Sequence, residues 1–293
     1  MTVDLQGQVC LVTGANSGIG KAAAIGLATM GATVVLVCRS RARGAAAQED
    51  IAASSGNGSL HLCVADLSSQ AAVRDLADEI RDRFPRLHVL VNNAGVFRRS
   101  RHLTENGLEE TFAINHLGYF LLTDLLLDLL KAGAPSRIVS VSSDAHSGGT
   151  IDFADLQSEQ KYSAMGAYGQ SKLANVLFTY ELARRLDGTG VTATCLHPGL
   201  VATNFFRDIP RALRLVMAPI RPFMLSAEKG ADTVLYLAAA PEVAGVTGEY
   251  FVKRKSVRSS KASYDTELAR RLWDVSADLA GLSDAGNSHA PQP

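Results

Sequence analysis

Net charge is missing from this sequence: 29 lysines and arginines meet 29 aspartates and glutamates. Such a balance offers no basic footprint for nucleic acid or for an anionic membrane surface, and small neutral partners fit it better. Cysteine is scarce. The four present, Cys10, Cys38, Cys63 and Cys195, each sit in or beside an apolar strand-like run, and no pair has metal-ligand or redox-motif spacing. They read as buried, reduced thiols. The seven histidines include no His-x-x-x-His pair, so no metal is expected. Long apolar runs are lacking too. YFLLTDLLLDLL is broken by Asp124 and Asp128 and is too short for a bilayer, while MTVDLQGQV has neither the charged nor the apolar part of a signal peptide. The expectation is a protein of the reducing cytoplasm with no membrane span. Internal repeats and low-complexity linkers are also absent.

What is present is a beat. Short β-branched runs alternate with helical patterns: QVCLVTG, a helix from Gly18 to Met30, TVVLVC, a helix from Arg41 to Ser54, LHLCVAD, a helix from Gln70 to Phe84. The beat continues with LHVLVNNAG, a helix through Leu108 to Lys131, SRIVSVSS, a helix from about Tyr168 to Leu186, and VTATCLHPG. Each strand is a near-continuous apolar run, as a parallel sheet covered on both faces requires. The class predicted is α/β, an open, doubly wound parallel sheet of about seven strands whose C-terminal ends share one ligand-binding edge. One domain over residues 1–285 suits a chain with 47% hydrophobic and 20% charged residues, leaving 286–293 as a disordered tail. Two regions break the rhythm: a polar insert from Asp144 to Met165, and a segment from Thr203 to Ser226 rich in Phe, Met, Leu and Arg.

The first strand runs into TGANSGIG. Gly14, Gly18 and Gly20, with Asn16, Ser17 and Ile19 between them, would let the backbone turn and approach a pyrophosphate at the N-terminus of the following helix. The plainer alternative is a tight turn without a ligand. A site for NAD places an acid at the end of the second strand, whereas an arginine there suits a 2′-phosphate. Here the strand ends in Cys38, Arg39 and Ser40, so Arg39 argues for NADP(H), with Ser40, Arg41 and Arg43 as weaker supports. The alternative is a solvated arginine opening the next helix. Asp66, followed by Leu67, either accepts from the adenine amino group or caps the next helix.

Tyr168 and Lys172 lie four apart, hence on one face of a helix. A phenol of pKa near 10 is a poor acid–base group at neutral pH, and an adjacent ammonium would lower it. Asn115 stands inside a helix, where asparagine competes with backbone bonding and calls for some compensating role.

TGANSGIG, NNAG at 92–95, INHLG around Asn115, VSS at 141–143, YGQSK at 168–172 and HPGLVAT at 197–203 occur in register. Together they resemble the short-chain dehydrogenase/reductase family across nearly the whole chain, and NVLFTYELARRL and ARRLWDVSADLAGL resemble its retinol dehydrogenase-like branch. The resemblance implies a Rossmann fold and NADP(H). It also implies that Tyr168 exchanges a proton with the substrate oxygen, that Lys172 bonds the nicotinamide ribose, that Ser143 steadies the developing alkoxide, and that Asn115 holds a water joining Lys172 to solvent. Asn93, Ala94 and Gly95 would shape the strand end over the cofactor, and Pro198, Gly199, Val201 and Thr203 the loop at its carboxamide. His197 reads as structural.

In that family the segment equivalent to 203–226 covers the substrate. Phe205, Phe206, Leu213, Val216, Met217, Ile220, Phe223 and Met224 could line an apolar pocket or pack on the domain. The substrate class expected is a hydrophobic ketone or aldehyde of lipid, terpenoid or polycyclic type, reduced to, or formed from, its alcohol. Arg98, Arg99 and Arg101 follow the fourth strand on the ligand edge, either solvated or facing an acidic substrate group. Lys253, Arg254, Lys255 and Arg258 read as a solvated rim. Competing readings are a non-catalytic NADP(H)-sensing or scaffold protein and an epimerase or dehydratase. Monomer and homodimer both stay open.

Overall fold

A computed structural model describes residues 3–201 and 225–282. Thr203, the apolar positions named from Phe205 to Met224 and the tail 286–293 therefore lie outside the described residues. The strands are β1 Val9–Thr13, β2 Thr33–Cys38, β3 Leu60–Val64, β4 Val89–Asn92, β5 Ser136–Val141, β6 Val191–His197, β7 Glu249–Val252 and β8 Lys255–Val257. They form one sheet in the order β3-β2-β1-β4-β5-β6-β7-β8, parallel except for β8. The short antiparallel β8 brings the strands to eight, close to the about seven expected from the sequence. It folds back through Lys253 and Arg254, both left-handed at φ 50 and 62, and Arg254 is ion-paired with Asp232. Part of the basic rim thus serves the hairpin.

Successive strand residues point to opposite faces, and both faces are covered. Leu11 pairs in register with Val35 and Leu90, and all three pack with Ile138, Leu76, Ile80, Phe120 and Phe178 on one side. Their neighbours Cys10, Val12, Val34 and Val91 pack with Ala23, Leu27, Val234 and Leu237 on the other. Each such leucine or valine withdrawn from water contributes about 1.5–3 kcal/mol, which is why the strands read as unbroken apolar runs. The strand order reverses between β1 and β4, and there a crevice opens at the strands' C-terminal ends.

The helices are α1 Gly18–Thr29, α2 Arg41–Ser55, α3 Gln70–Arg83, α4 Glu110–Phe112, α5 Gly118–Leu125, α6 Leu127–Ala132, α7 Ala164–Arg185, α8 Ala227–Ala239 and α9 Thr266–Leu279. The single helix expected from Leu108 to Lys131 is broken. A π-turn, Ala113–Leu117, separates α4 from α5 and contains Asn115, a distortion that often marks a functional site. Further along, α9 seals α7: Ala269 and Leu272 pack with Leu173 and Leu177, and Trp273 stacks on Phe178 with ring centroids 5.8 Å apart. None of the described helices is long and apolar enough to cross a membrane.

His116, in the π-turn, is buried among Phe112, Phe120 and Phe178 and bonds the Ser276 hydroxyl of α9 at 2.8 Å. Burial pulls its pKa from 6.5 down to about 4. Between those values the unfolded chain binds the proton and the folded chain refuses it. Stability is therefore full above about 6.5 and falls as pH drops toward about 4, by roughly 3 kcal/mol for this group. Urea midpoints measured from neutral pH down to that value should fall more steeply for the wild type than for His116→Gln. Parallel curves would contradict the assignment.

Candidate active site

The turn after β1 is shaped by Gly14 and Gly18, both at positive φ (68 and 54). Ser17 precedes α1 and makes no side-chain cap bond, so the first-turn amides keep their donors for an anion in the crevice. Gly20 also serves a close packing contact. A Cβ there would lie 2.4 Å from Asn93 Nδ2 and 2.4 Å from the Gly14 carbonyl oxygen. It permits α1 to press against the end of β4 and does not line the crevice.

Thr13, which the sequence did not single out, organises that strand end. Its hydroxyl accepts from the Asn93 and Ala94 amides at 2.9 and 3.0 Å, and its carbonyl accepts from Asn93 Nδ2 at 2.8 Å. The Tyr119 hydroxyl donates to the Ala94 carbonyl at 2.7 Å. Tyr119 also escaped notice because it sits in an apolar run. A threonine ahead of a glycine turn was the available signal for Thr13.

The crevice is a cavity of about 920 Å³. At one end lie Arg39, Arg43, Asp66 and Leu67; Gly14, Asn16, Ser17, Gly18, Ile19, Asn93, Ala94 and Gly95 follow along its floor; Ser143, Tyr168, Lys172, Pro198, Gly199 and Val201 close the far end. Of the remaining residues assigned to it, Ser40 caps α2 by accepting from the Arg43 amide at 3.5 Å and does not line the cavity. Asp66 does not cap α3, because Ser69 accepts from the Ala72 amide there. One Asp66 oxygen takes the Ser68 amide and hydroxyl at 3.0 and 2.8 Å, and the other stands 3.9 Å from the Arg39 guanidinium. Beside them Lys21 pairs with Asp50 at 2.6 Å.

At the far end, α7 begins four residues ahead of Tyr168, capped by Ser163. Tyr168 and Lys172 thus share a helical face turned to the sheet. The Ser143 side chain acts on the phenol and pulls its pKa down, and Phe97 lies edge-on to its ring at 5.7 Å. The Ser143 hydroxyl accepts from the Ala145 amide at 3.2 Å. Lys172 is buried, donates to the Val141 carbonyl at 2.9 Å, and has its Nζ 5.7 Å from the centre of the Tyr168 ring. Burial lowers its pKa from 10.5 to about 7. The phenol goes the other way: burial raises it to about 12, against a smaller lowering by Ser143. The lowering expected from a neighbouring ammonium is therefore not what shapes the phenol, whose largest influence is loss of water.

Asn115 is clamped to the strand-end loop. Its Nδ2 donates to the Val96 carbonyl and Ser171 hydroxyl at 3.0 and 3.1 Å, and its Oδ1 accepts from the Val96 amide at 2.8 Å. A Cβ on Gly95 would lie 3.3 Å from Asn115 Oδ1 and 3.7 Å from Lys172 Nζ, so glycine keeps the space between these groups open. Two arginines of the run, Arg98 and Arg101, are held by neighbouring groups. Arg98 pairs doubly with Glu110 at 2.7 and 2.6 Å, while Arg101 donates to the Gln157 carbonyl at 2.8 Å and faces Glu159. With Tyr162 donating to the Arg98 carbonyl at 2.8 Å, these side chains pin the 144–165 insert. Among the described residues no cluster of His, Cys, Asp and Glu could hold a metal.

A dinucleotide crevice at a topological switch point, closed by serine, tyrosine and lysine, is the architecture of a nicotinamide-dependent oxidoreductase. The model for short chain dehydrogenase matches residues 8–213, and the chain belongs to the short-chain dehydrogenase family of Rossmann-fold oxidoreductases. Among curated relatives, Homo sapiens retinol dehydrogenase 14 is 45% identical over 95% of this chain and 88% of its own length, and Homo sapiens retinol dehydrogenase 13 is 44% identical over 99% and 89%. A solved protein from Mycobacterium paratuberculosis superposes with a TM-score of 0.78 at 34% identity, covering 96% of each chain. Pseudomonas aeruginosa RhlG, in an NADP active-site complex, gives 0.69 at 29% identity over 85% of this chain and 95% of that one.

Proposed function

We propose that this oxidoreductase reduces a hydrophobic ketone or aldehyde with NADPH. The observation that carries the reading is the composition of the two ends of one crevice: Arg39, with no acid at the end of β2, at one end, and Ser143, Tyr168 and Lys172 together at the other. The cradle suits a dinucleotide, since Gly14 and Gly18 bring main chain to its floor and α1 presents its uncapped amides there. Bound at that floor, the cofactor supplies the hydride for the carbonyl carbon.

The chain's own residues do the rest. Ser143 donates a hydrogen bond to the carbonyl oxygen, and Tyr168 delivers the proton as charge develops there. A phenol held at about 12 is protonated throughout the neutral range, which is the form a reductase needs. The phenolate left behind favours the charged form of Lys172, whose pKa of about 7 lets it take up or pass on a proton with little cost. Asn115 fixes Val96 beside Lys172 and in this reading seats the water that returns the proton. Exposed Met165 and Leu200 flank Tyr168 at the crevice mouth with Phe97, which suits an apolar substrate. The retinol dehydrogenase relatives favour the same class.

The test is a panel of retinaldehyde, a polycyclic aromatic ketone, a medium-chain aldehyde and a polar sugar ketone, assayed with NADPH and NADH side by side. Turnover of an apolar member is expected, with kcat/KM at least about tenfold higher for NADPH than for NADH. Equal use of the two nucleotides would remove Arg39 from the account, and no turnover at all would remove the reductase.

A further inference from the structure

Ser143 is joined to Asp144 by a peptide group that two imidazoles hold from opposite ends. Its carbonyl oxygen accepts from Nδ1 of His146 at 2.7 Å, and its N–H donates to Nδ1 of His197 at 3.2 Å. A ring nitrogen facing a carbonyl must carry the proton, and one facing an N–H must not. The two rings are therefore required in opposite tautomers. The far nitrogen of His146 is committed as well, since the Ser260 amide donates to Nε2 at 3.0 Å. His146 is 2% exposed and its ring centre lies 4.8 Å from that of Tyr250. Burial also holds His197 below the usual histidine range, in the neutral form its contact requires.

The clamp reaches beyond the peptide. Ser260 opens the turn Lys261–Tyr264, and its neighbour Ser259 bonds the Tyr180 hydroxyl of α7 at 2.7 Å. Ser143 and the helix that carries Tyr168 are thus tied together through the loop that follows β8. The Ser143 hydroxyl accepts from the Ala145 amide at 3.2 Å, so its rotor is set by the backbone that continues from the held peptide.

We propose that His146 and His197 are positioning residues, a clamp of two imidazoles in opposite tautomers that fixes the peptide after Ser143 and so aims its hydroxyl at the substrate oxygen. The inference rests on the reductase reading for the role of Ser143. It assigns the imidazoles no proton transfer and no contact with the reacting atoms.

Two substitutions separate the two ends of His146. In His146→Asn the amide nitrogen takes the place of Nδ1 and keeps the bond to the Ser143 carbonyl. In His146→Gln the amide lies nearer Nε2, keeping Ser260 and losing Ser143. The clamp predicts that His146→Gln lowers kcat on the order of tenfold while KM for NADPH moves less than about twofold, and that His146→Asn recovers most of that loss. Equal kcat in the two variants, or the reverse order, overturns it. Should neither variant fold, nitrogen-15 shifts of the wild-type imidazoles decide: a proton on Nδ1 of His146 and on Nε2 of His197 supports the clamp, and a proton on Nε2 alone at His146 overturns it. A wild type that turns over no carbonyl sinks the reductase reading. A wild type that works no better than His146→Gln sinks only the clamp.

Discussion

Tyr168→Phe is expected to lower turnover by roughly 10²- to 10⁴-fold, the range a lost general acid accounts for, while the NADPH dissociation constant changes by less than about twofold. The substitution removes one oxygen. The ring keeps its edge contact with Phe97 at 5.7 Å and its place on α7, so the crevice stays formed. What disappears is the hydroxyl on which Ser143 acts, and with it the donor that must reach the substrate oxygen as hydride arrives. Steady-state turnover and fluorescence titration with NADPH read the two quantities separately. Turnover above about a tenth of wild type would place the proton donor elsewhere.

Arg39→Asp is expected to weaken NADPH use on the order of 100-fold in kcat/KM and to improve NADH use. Removing a charge-assisted partner of a phosphate costs 2 kcal/mol or more, and a carboxylate in its place adds repulsion. The same carboxylate can accept the ribose hydroxyls of NADH. Arg39 is half exposed and its ion pair with Asp66 is long at 3.9 Å, so the fold does not depend on it. Two kcat/KM values per variant decide the matter. Unchanged preference would mean that Arg39 is solvated and that other groups read the nucleotide.

The contrast between those two residues shows how far the sequence reached. The sheet was legible because every central strand is buried on both faces: Leu11 and Val12 face different layers, and neither layer tolerates a polar residue at those positions. The spacing of Tyr168 and Lys172 was legible because a helix turns i and i+4 to one side. The sign of the phenol's shift was not. It depends on how much water reaches Tyr168, which packing across α7, β5 and the Phe97 loop sets and spacing cannot. The close packing at Gly20 was only partly visible: a Cβ there would lie 2.4 Å from the Gly14 carbonyl in the same turn and equally near Asn93 Nδ2, 73 positions later. Arg98 and Arg101, read from the sequence as either solvated or facing a substrate group, are instead paired with Glu110 and Glu159, which the fold brings to them. The short strand β8 hid in a basic run because an exposed edge strand needs no apolar alternation. The break in the helix at Asn115 was half visible, since an asparagine there demanded an explanation, but a π-turn is indistinguishable from an α-helix by residue type.

The central claim is that one crevice brings a nucleotide's hydride and the Tyr168 proton to the same carbonyl. Single-turnover reaction of the wild-type protein with NADPH deuterated at the transferring face of its nicotinamide, using the best carbonyl of the panel, tests it most directly. The account predicts one deuterium on the former carbonyl carbon, with the solvent's hydrogen only on oxygen, and no labelled alcohol within the same interval from Tyr168→Phe. Alcohol formed without deuterium on carbon, or formed equally fast by the variant, would contradict it.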